Sequence, residues 1–267
     1  MTNSLDAQVF SEWVAESESG PRVGWRAGLE LVWPIGCAGC GRSGVPVCPR
    51  CRAVVAGPAF PTPVVGWPLG FNAWAACPYR GTAARMLIAW KERGRVDLTE
   101  PLGIGLGAAV RACRSAHGDP ASRWLLVPVP STRAARRRRG CDLMAELTRS
   151  AASTCRPDST GDPGPAWAGP PARPIRGLEH ARRVRDQGAL GAVGRRKNLR
   201  GALAVRSSAI DLVSGQNCVV VDDVVTTGTT AAEAARALTS VGARVVGACF
   251  LSVTLRQLGV PEERSRV

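Results

Sequence analysis

The sequence is poor in tyrosine, phenylalanine, histidine and lysine: its 267 residues include one Tyr, four Phe and two His. Lys91 and Lys197 are its only lysines. Scarce Tyr and Phe weaken the case for a surface that binds unpaired bases mainly by ring stacking. The eight tryptophans, among them Trp67, Trp74 and Trp90, remain as candidate platforms. Neither lysine follows a glycine, which excludes the G-x-x-x-x-G-K-[ST] loop of the nucleoside triphosphatases. No apolar run approaches the ~20 residues needed to span a bilayer. Met1–Glu18 is polar and acidic, without the basic start and apolar core of a signal peptide. The expectation is a cytoplasmic, reducing setting. His117 and His180 stand alone and receive no role.

What the chain does have is arginine, apolar residues and cysteine. Basic residues outnumber acidic ones 35 to 21, for a formal charge of +14. That excess suits a phosphate or nucleic-acid partner. It equally suits the compositional bias of a chain rich in Arg, Ala and Gly. With 45% hydrophobic residues, the length accommodates one sizeable α/β domain with a small appendage. Residues 1–33 read as a lead-in with a short helix over Val23–Trp33, and 34–56 as a cysteine knuckle. Gly57–Pro68 reads as a Pro/Gly-rich linker, and 71–256 as the main domain. Inside that domain, 156–174 is rich in Pro, Gly and Ser and is expected to be a disordered insertion.

Periodicity predicts helices over Thr82–Arg93, Pro101–Cys113, Asp142–Ala152 and Thr229–Val241. Apolar runs predict strands at Trp124–Val129, Asn217–Val221 and Ala243–Val253. Strands alternating with helices imply a mostly parallel sheet covered on both faces.

The most informative segment is Val219–Thr230, VVVDDVVTTGTT. An apolar strand leading into Asp222 and Asp223 places two carboxylates at the carboxyl edge of the sheet, where open α/β folds bind ligands. Gly228 permits a tight turn and close backbone approach. Thr226, Thr227, Thr229 and Thr230 then bring hydroxyls and amides to a helix N-terminus, which favours phosphate. The acids suit ribose hydroxyls or Mg²⁺. A plain capping turn after a solvated strand end is the simpler alternative. Adjacent carboxylates there are expensive without a purpose.

Cys37-x₂-Cys40-x₇-Cys48-x₂-Cys51 supplies four thiolates as two CxxC pairs. Four sulfurs suit structural Zn²⁺. Rubredoxin-like iron is the chemical rival, and disulfides are disfavoured in a reducing compartment. The other cysteines lack paired spacing. Cys218 and Cys249 read as core strand residues, while Cys141 follows an arginine run.

Leu126–Asp142, LVPVPSTRAARRRRGCD, is a strand, a Pro-rich turn and then Arg133 and Arg136–Arg139. Such a turn, at Ser131, Thr132 and Arg133, is expected to cradle pyrophosphate with guanidinium help. A solvated charge run is the bland alternative. A second basic stretch, Ala181–Leu203, includes Arg182, Arg183, Arg185, Arg195, Arg196, Lys197 and Arg200. It reads as a hood over a bound polyanion or as a contact to DNA phosphates.

VVVDDVVTTGTT resembles the signature of type I phosphoribosyltransferases. The resemblance implies that Asp222 and Asp223 meet the ribose hydroxyls and that Thr226–Thr230 hold the 5′-phosphate. The wider set resembles the ComF family, whose domain is amidophosphoribosyltransferase-like. That set comprises the knuckle, Tyr79-Arg80-Gly81, Lys91-Glu92-Arg93-Gly94, the VPVP turn, Arg139-Gly140, the Gln187 and Asn198 region, and VVVDDVVTTGTT. It runs from about Cys37 to Val253. The resemblance implies a type I phosphoribosyltransferase-like sheet with an N-terminal zinc module, phosphoribosyl pyrophosphate as ligand, and Mg²⁺ bound with it. It also implies a link to DNA uptake in competence, with single-stranded DNA and DNA-uptake proteins as partners. Arg139, Arg183, Arg185, Gln187, Arg196 and Asn198 are then the hood or DNA contacts. Many relatives read Arg-Gly-Phe-Asn-Gln where this chain has Arg139-Gly140-Cys141-Asp142-Leu143. Any amide contact from that Asn-Gln pair is therefore lost here.

Overall fold

A computed structural model describes residues 36–64, 72–119, 121–157, 167, 169–181 and 201–254. Three apolar runs form its centre. These are β3 (Trp124–Pro128), β7 (Asn217–Val225) and β8 (Arg244–Val253). Their side chains alternate between two cores. Trp124, Leu126, Val219, Val221, Cys249 and Leu251 face one core. Leu125, Val127, Cys218, Val220, Ala248 and Phe250 face the other. Burial on both sides is why these strands read as continuous apolar runs rather than alternating ones.

Three shorter strands complete the sheet: β1 (Phe60–Pro61), β2 (Asn72–Pro78) and β4 (Arg173–Pro174). The order is β1-β2-β8-β7-β3-β4. Every neighbouring pair is parallel except the antiparallel β1–β2 edge. This is the expected α/β architecture with a mostly parallel sheet.

The first face is covered by α2 (Gly81–Glu92), α3 (Thr99–His117) and α5 (Leu143–Ser153). In α3, Leu102, Leu106, Val110 and Cys113 recur at helical spacing and are fully buried. Glycines in the same helix let neighbours approach closely. A β-carbon at Gly103 would stand 2.1 Å from the Ser150 hydroxyl oxygen, and one at Gly105 only 2.0 Å from the Val55 carbonyl oxygen. The second face is covered by α7 (Thr229–Thr239) and by an antiparallel ribbon of β5 (Leu178–His180) and β6 (Leu203–Val205). A one-turn helix, α6 (Ile210–Val213), precedes β7.

The cysteine knuckle runs into α1 (Pro49–Val55). It is packed into the first core, where Cys37, Cys48 and Cys51 share a cluster with Met86, Leu87 and Leu251. Guanidiniums hold its carbonyls from outside: Arg85 donates to Gly39, and Arg95 donates to Gly36 and Pro46, each at 3.2 Å.

Several expectations change. β7 does not stop at Val221 but carries both aspartates and ends at Val225. The Pro/Gly-rich stretch after the knuckle contains an edge strand, because Phe60 and Pro61 pair with Ala75 and Trp74. Residues 156–174 were expected to be disordered. Yet Trp167 is 5% exposed, and Arg173 and Pro174 pair with Leu125 and Leu126. The Arg133–Arg139 run is a helix, α4, rather than a turn. Thr132 caps its start by accepting from the Ala135 amide at 3.2 Å, and Gly140 ends it in the left-handed region. The Val23–Trp33 helix and the basic stretch 182–200 lie outside the described residues. Among the described residues, no helix is long and apolar enough to cross a membrane.

Candidate functional site

At the carboxyl end of β7 the chain turns through Thr226, Thr227 and Gly228 into α7. Gly228 has a φ of 70°, in the left-handed region that glycine adopts without strain. Residue 228 begins the helix without a side-chain cap, and the first turn of α7 has no acidic residue. The leading amides of such a helix have no partner within it and carry the positive end of its dipole. Thr227 and Thr229 share a hydroxyl–hydroxyl hydrogen bond of 2.9 Å across the turn. A small open cleft lies over the turn, lined by Asp222, by Thr226 to Thr230 and by Phe250. Amides, hydroxyls and an uncapped helix end are features that suit an anion.

The two carboxylates part company. Asp222 lines this cleft, whereas Asp223 is buried and ion-paired with Lys91 in the last turn of α2. Each backbone bond following an aspartate is satisfied locally. The Asp223 amide donates to Asp222 Oδ1 at 2.9 Å, and the Val224 amide to Asp223 Oδ1 at 2.7 Å. Asp222 is half-buried, and partial withdrawal of its carboxyl from water pushes it up to about 8, reinforced by the charge of Asp223 and opposed by Lys91. For Lys91, burial works against the charged form. The charges of Asp223 and Asp222 outweigh it and raise its pKa above the ordinary value. The site therefore holds the Lys91 amine against Asp223 and, next along the strand, an Asp222 carboxyl that is easier to protonate than usual.

Ser131 and Thr132 lie between β3 and α4, at the same edge of the sheet. The Val129 amide donates to Val221 O at 2.9 Å, fixing the start of that turn to the strand just ahead of Asp222. His180 Nε2 lies 3.0 Å from Pro130 O. The arginine helix is turned towards α2. Arg139 Nε donates to Lys91 O at 2.6 Å, and its terminal nitrogen to Glu92 at 3.0 Å. Arg138 reaches Glu92 at 3.3 Å. Arg133 is the first residue of α4. Asp142 stands where relatives of the resembled family carry an amide. It caps α5 through the Ala145 amide and receives Arg176 at 3.2 Å. Arg183, Arg185, Gln187, Arg196 and Asn198 lie outside the described residues. Sequence reasoning assigned Lys91 no role at this site. Its only signal was membership of the Lys-Glu-Arg-Gly element.

In the knuckle, the sulfurs of Cys37, Cys40, Cys48 and Cys51 lie within 4.8 Å of one another. A tetrahedral zinc with Zn–S bonds of about 2.3 Å separates its sulfurs by about 3.8 Å. The Cys40–Cys48 separation is 3.7 Å. The Cys48 amide donates to Cys37 Sγ at 3.3 Å. Burial raises the Cys37 thiol, but amides of Cys48, Cys40 and Gly39 outweigh it and bring it down to about 6. Amide donation to sulfur suits a thiolate ligand. The residues present fit a four-sulfur metal site that can hold zinc.

Residues 177–263 match the family profile described as the phosphoribosyl transferase domain. That span includes β5, β6, β7 with its acid pair, the Thr226–Thr230 turn, α7 and β8, and over it the α/β fold is phosphoribosyltransferase-like. No curated protein sequence matches the chain. Among solved structures, one titled as the allosteric regulatory enzyme of purine biosynthesis is 20% identical, with a TM-score of 0.29. The alignment covers 57% of this chain and 25% of that one, so the chain spans about a quarter of that enzyme's length.

Proposed function

We propose that this chain binds phosphoribosyl pyrophosphate together with Mg²⁺ and acts as a phosphoribosyltransferase towards an acceptor still to be identified. The observation that carries the reading is the uncapped start of α7 one tight turn after a strand that carries two carboxylates near its carboxyl end. The loop Thr226–Thr230 takes the 5′-phosphate on amides and hydroxyls, and Asp222 on the cleft and the Lys91-paired Asp223 take the ribose hydroxyls. Ser131, Thr132 and Arg133, which follow β3, receive the pyrophosphate in this reading. Two carboxylates are hard oxygen donors that suit Mg²⁺ shared with ligand phosphates, and the ion, when bound, offsets the negative charge on the leaving pyrophosphate. In the reaction, the anomeric carbon–oxygen bond to pyrophosphate breaks as a bond to the acceptor forms, so positioning and charge stabilisation supply most of the catalysis. The phosphoribosyl transferase profile over residues 177–263 supports the ligand class.

Calorimetric titration with phosphoribosyl pyrophosphate and Mg²⁺ tests the site. The wild type binds and the Asp222→Ala/Asp223→Ala variant does not; equal binding by both ends the assignment. A screen for pyrophosphate release with nucleobases, amines and oligonucleotides identifies the acceptor.

A second reading rests on the formal charge of +14 and on the resemblance to the ComF family. In it the basic surface and the zinc knuckle bind single-stranded DNA during DNA uptake, and the phosphoribosyl site serves regulation. It predicts an affinity for single strands that falls steeply between low and moderate salt. A flat salt profile counts against it.

A further inference from the structure

The end of α2 is fixed from two directions. Its last-turn residue Lys91 reaches Asp223 on β7, and its main-chain carbonyl accepts from Arg139 at 2.6 Å. The neighbouring Glu92 is held by Arg138 and Arg139. Arg139 is only 17% exposed, so the arginine run is partly an internal fastener rather than wholly a solvated face. We propose that Lys91 is a ligand-binding residue that bridges Asp223 and the pyrophosphate of the bound phosphoribosyl ligand, and that Arg139 is the positioning residue that holds it there. The proposal rests on the phosphoribosyl reading above.

Three observations support it. Asp223 is buried, while the Lys91 side chain is 34% exposed, so the ammonium that pairs with a buried carboxylate is itself reachable from solvent. An ammonium has three donors, and one on Asp223 leaves capacity for ligand oxygens. The ligand also brings several negative charges to a place that already holds two carboxylates. A cation fixed on Asp223 keeps like charges from meeting there without help. A role confined to stability explains the arrangement less well, because a largely buried ion pair adds little net stability over apolar packing. Arg139 gives the helix end a second anchor, so the ammonium does not have to be ordered when ligand arrives.

The test compares two probes, both with Mg²⁺: phosphoribosyl pyrophosphate, and ribose 5-phosphate, which lacks the pyrophosphate. Lys91→Met is expected to weaken the first about 10- to 100-fold and the second less than about threefold. Lys91→Arg restores part of the difference, and Arg139→Gln gives a smaller loss with the same selectivity. Equal losses for both probes, or no loss for either, overturn the proposal. Should Lys91→Met fail to fold, the wild type carries the test. Lys91 and Lys197 are the only lysines, so amine acylation read by mass spectrometry reports on Lys91 directly. Phosphoribosyl pyrophosphate is expected to slow its labelling more than ribose 5-phosphate does; identical labelling with and without ligand overturns the proposal. A wild type that binds neither probe instead refutes the phosphoribosyl reading, and this inference falls with it.

Discussion

Val64 forms a wall against Gly228: its Cγ1 lies 1.9 Å from where a β-carbon on residue 228 would stand. The segment leaving edge strand β1 thus presses on the turn that opens α7, and that turn is shaped from outside as well as by its own backbone. Gly228→Ala is expected to fail on two counts, the φ of 70° and the collision with Val64. The left-handed conformation alone costs roughly 1–2 kcal/mol, and binding of ribose 5-phosphate should fall at least about tenfold. Adding Val64→Ala should recover the collision part and leave the conformational part. Thermal melts and titrations of both variants separate the two.

Asp222 makes stability depend on pH. Its carboxyl is held at about 8 in the folded chain against an ordinary 3.8. The folded state thus binds this proton more tightly than the unfolded state. The stabilisation is complete below the ordinary value and is lost as pH rises towards the folded value. Wild type minus Asp222→Asn should therefore show a stability difference that declines between about pH 5 and about pH 8 and levels off above. Chemical denaturation across that range checks it. A difference independent of pH removes the claim of a raised carboxyl.

Reading the chain without coordinates recovers the sheet strands but not the partners of the acid pair. β3, β7 and β8 announce themselves because burial on both faces demands unbroken apolar runs. The length of β7 was hidden, since two aspartates look like a strand end; Lys91 and local amides make them tolerable inside one. The Lys91–Asp223 pair joins segments far apart in sequence, and no local pattern encodes it. The arginine helix was legible in part. Thr132 offers a cap, Ala134 and Ala135 favour helix, and Gly140 supplies the stop, but the charge run drew attention to ligands instead. Trp167 was obscured by the Pro/Gly-rich composition around it.

That tryptophan gives a direct check. Trp167 packs edge-on to Trp124 with ring centroids 6.5 Å apart, and the Arg114 guanidinium lies 4.3 Å from its ring centroid. Trp167→Ala should cost about 3–5 kcal/mol in denaturant unfolding, with Trp167→Phe less damaging. A change within about 0.5 kcal/mol, typical of surface positions, would place the residue outside the core.

Metal removal should act on the whole molecule. Protein purified without chelator is expected to carry about one zinc or iron per chain, and less than that removes the metal claim. Stripping it, or substituting Cys40→Ser, should lower the melting temperature of a single cooperative transition. An unchanged main transition would show that the knuckle folds apart from the sheet.

The way Cys37, Cys48 and Cys51 enter the core beneath α2 has a practical consequence for dissecting this protein. The knuckle is packed as one half of a pair rather than as a passenger beside the sheet. A version beginning at β2 would lose the edge strand β1 and the wall that Val64 gives the turn at Gly228. It would also lay bare the greasy underside of α2 around Met86 and Leu87, inviting self-association. Shuffling this module onto another scaffold would require carrying along Arg85, Arg95 and the surface of α2 that receives it, so the two parts should be inherited, expressed and engineered together.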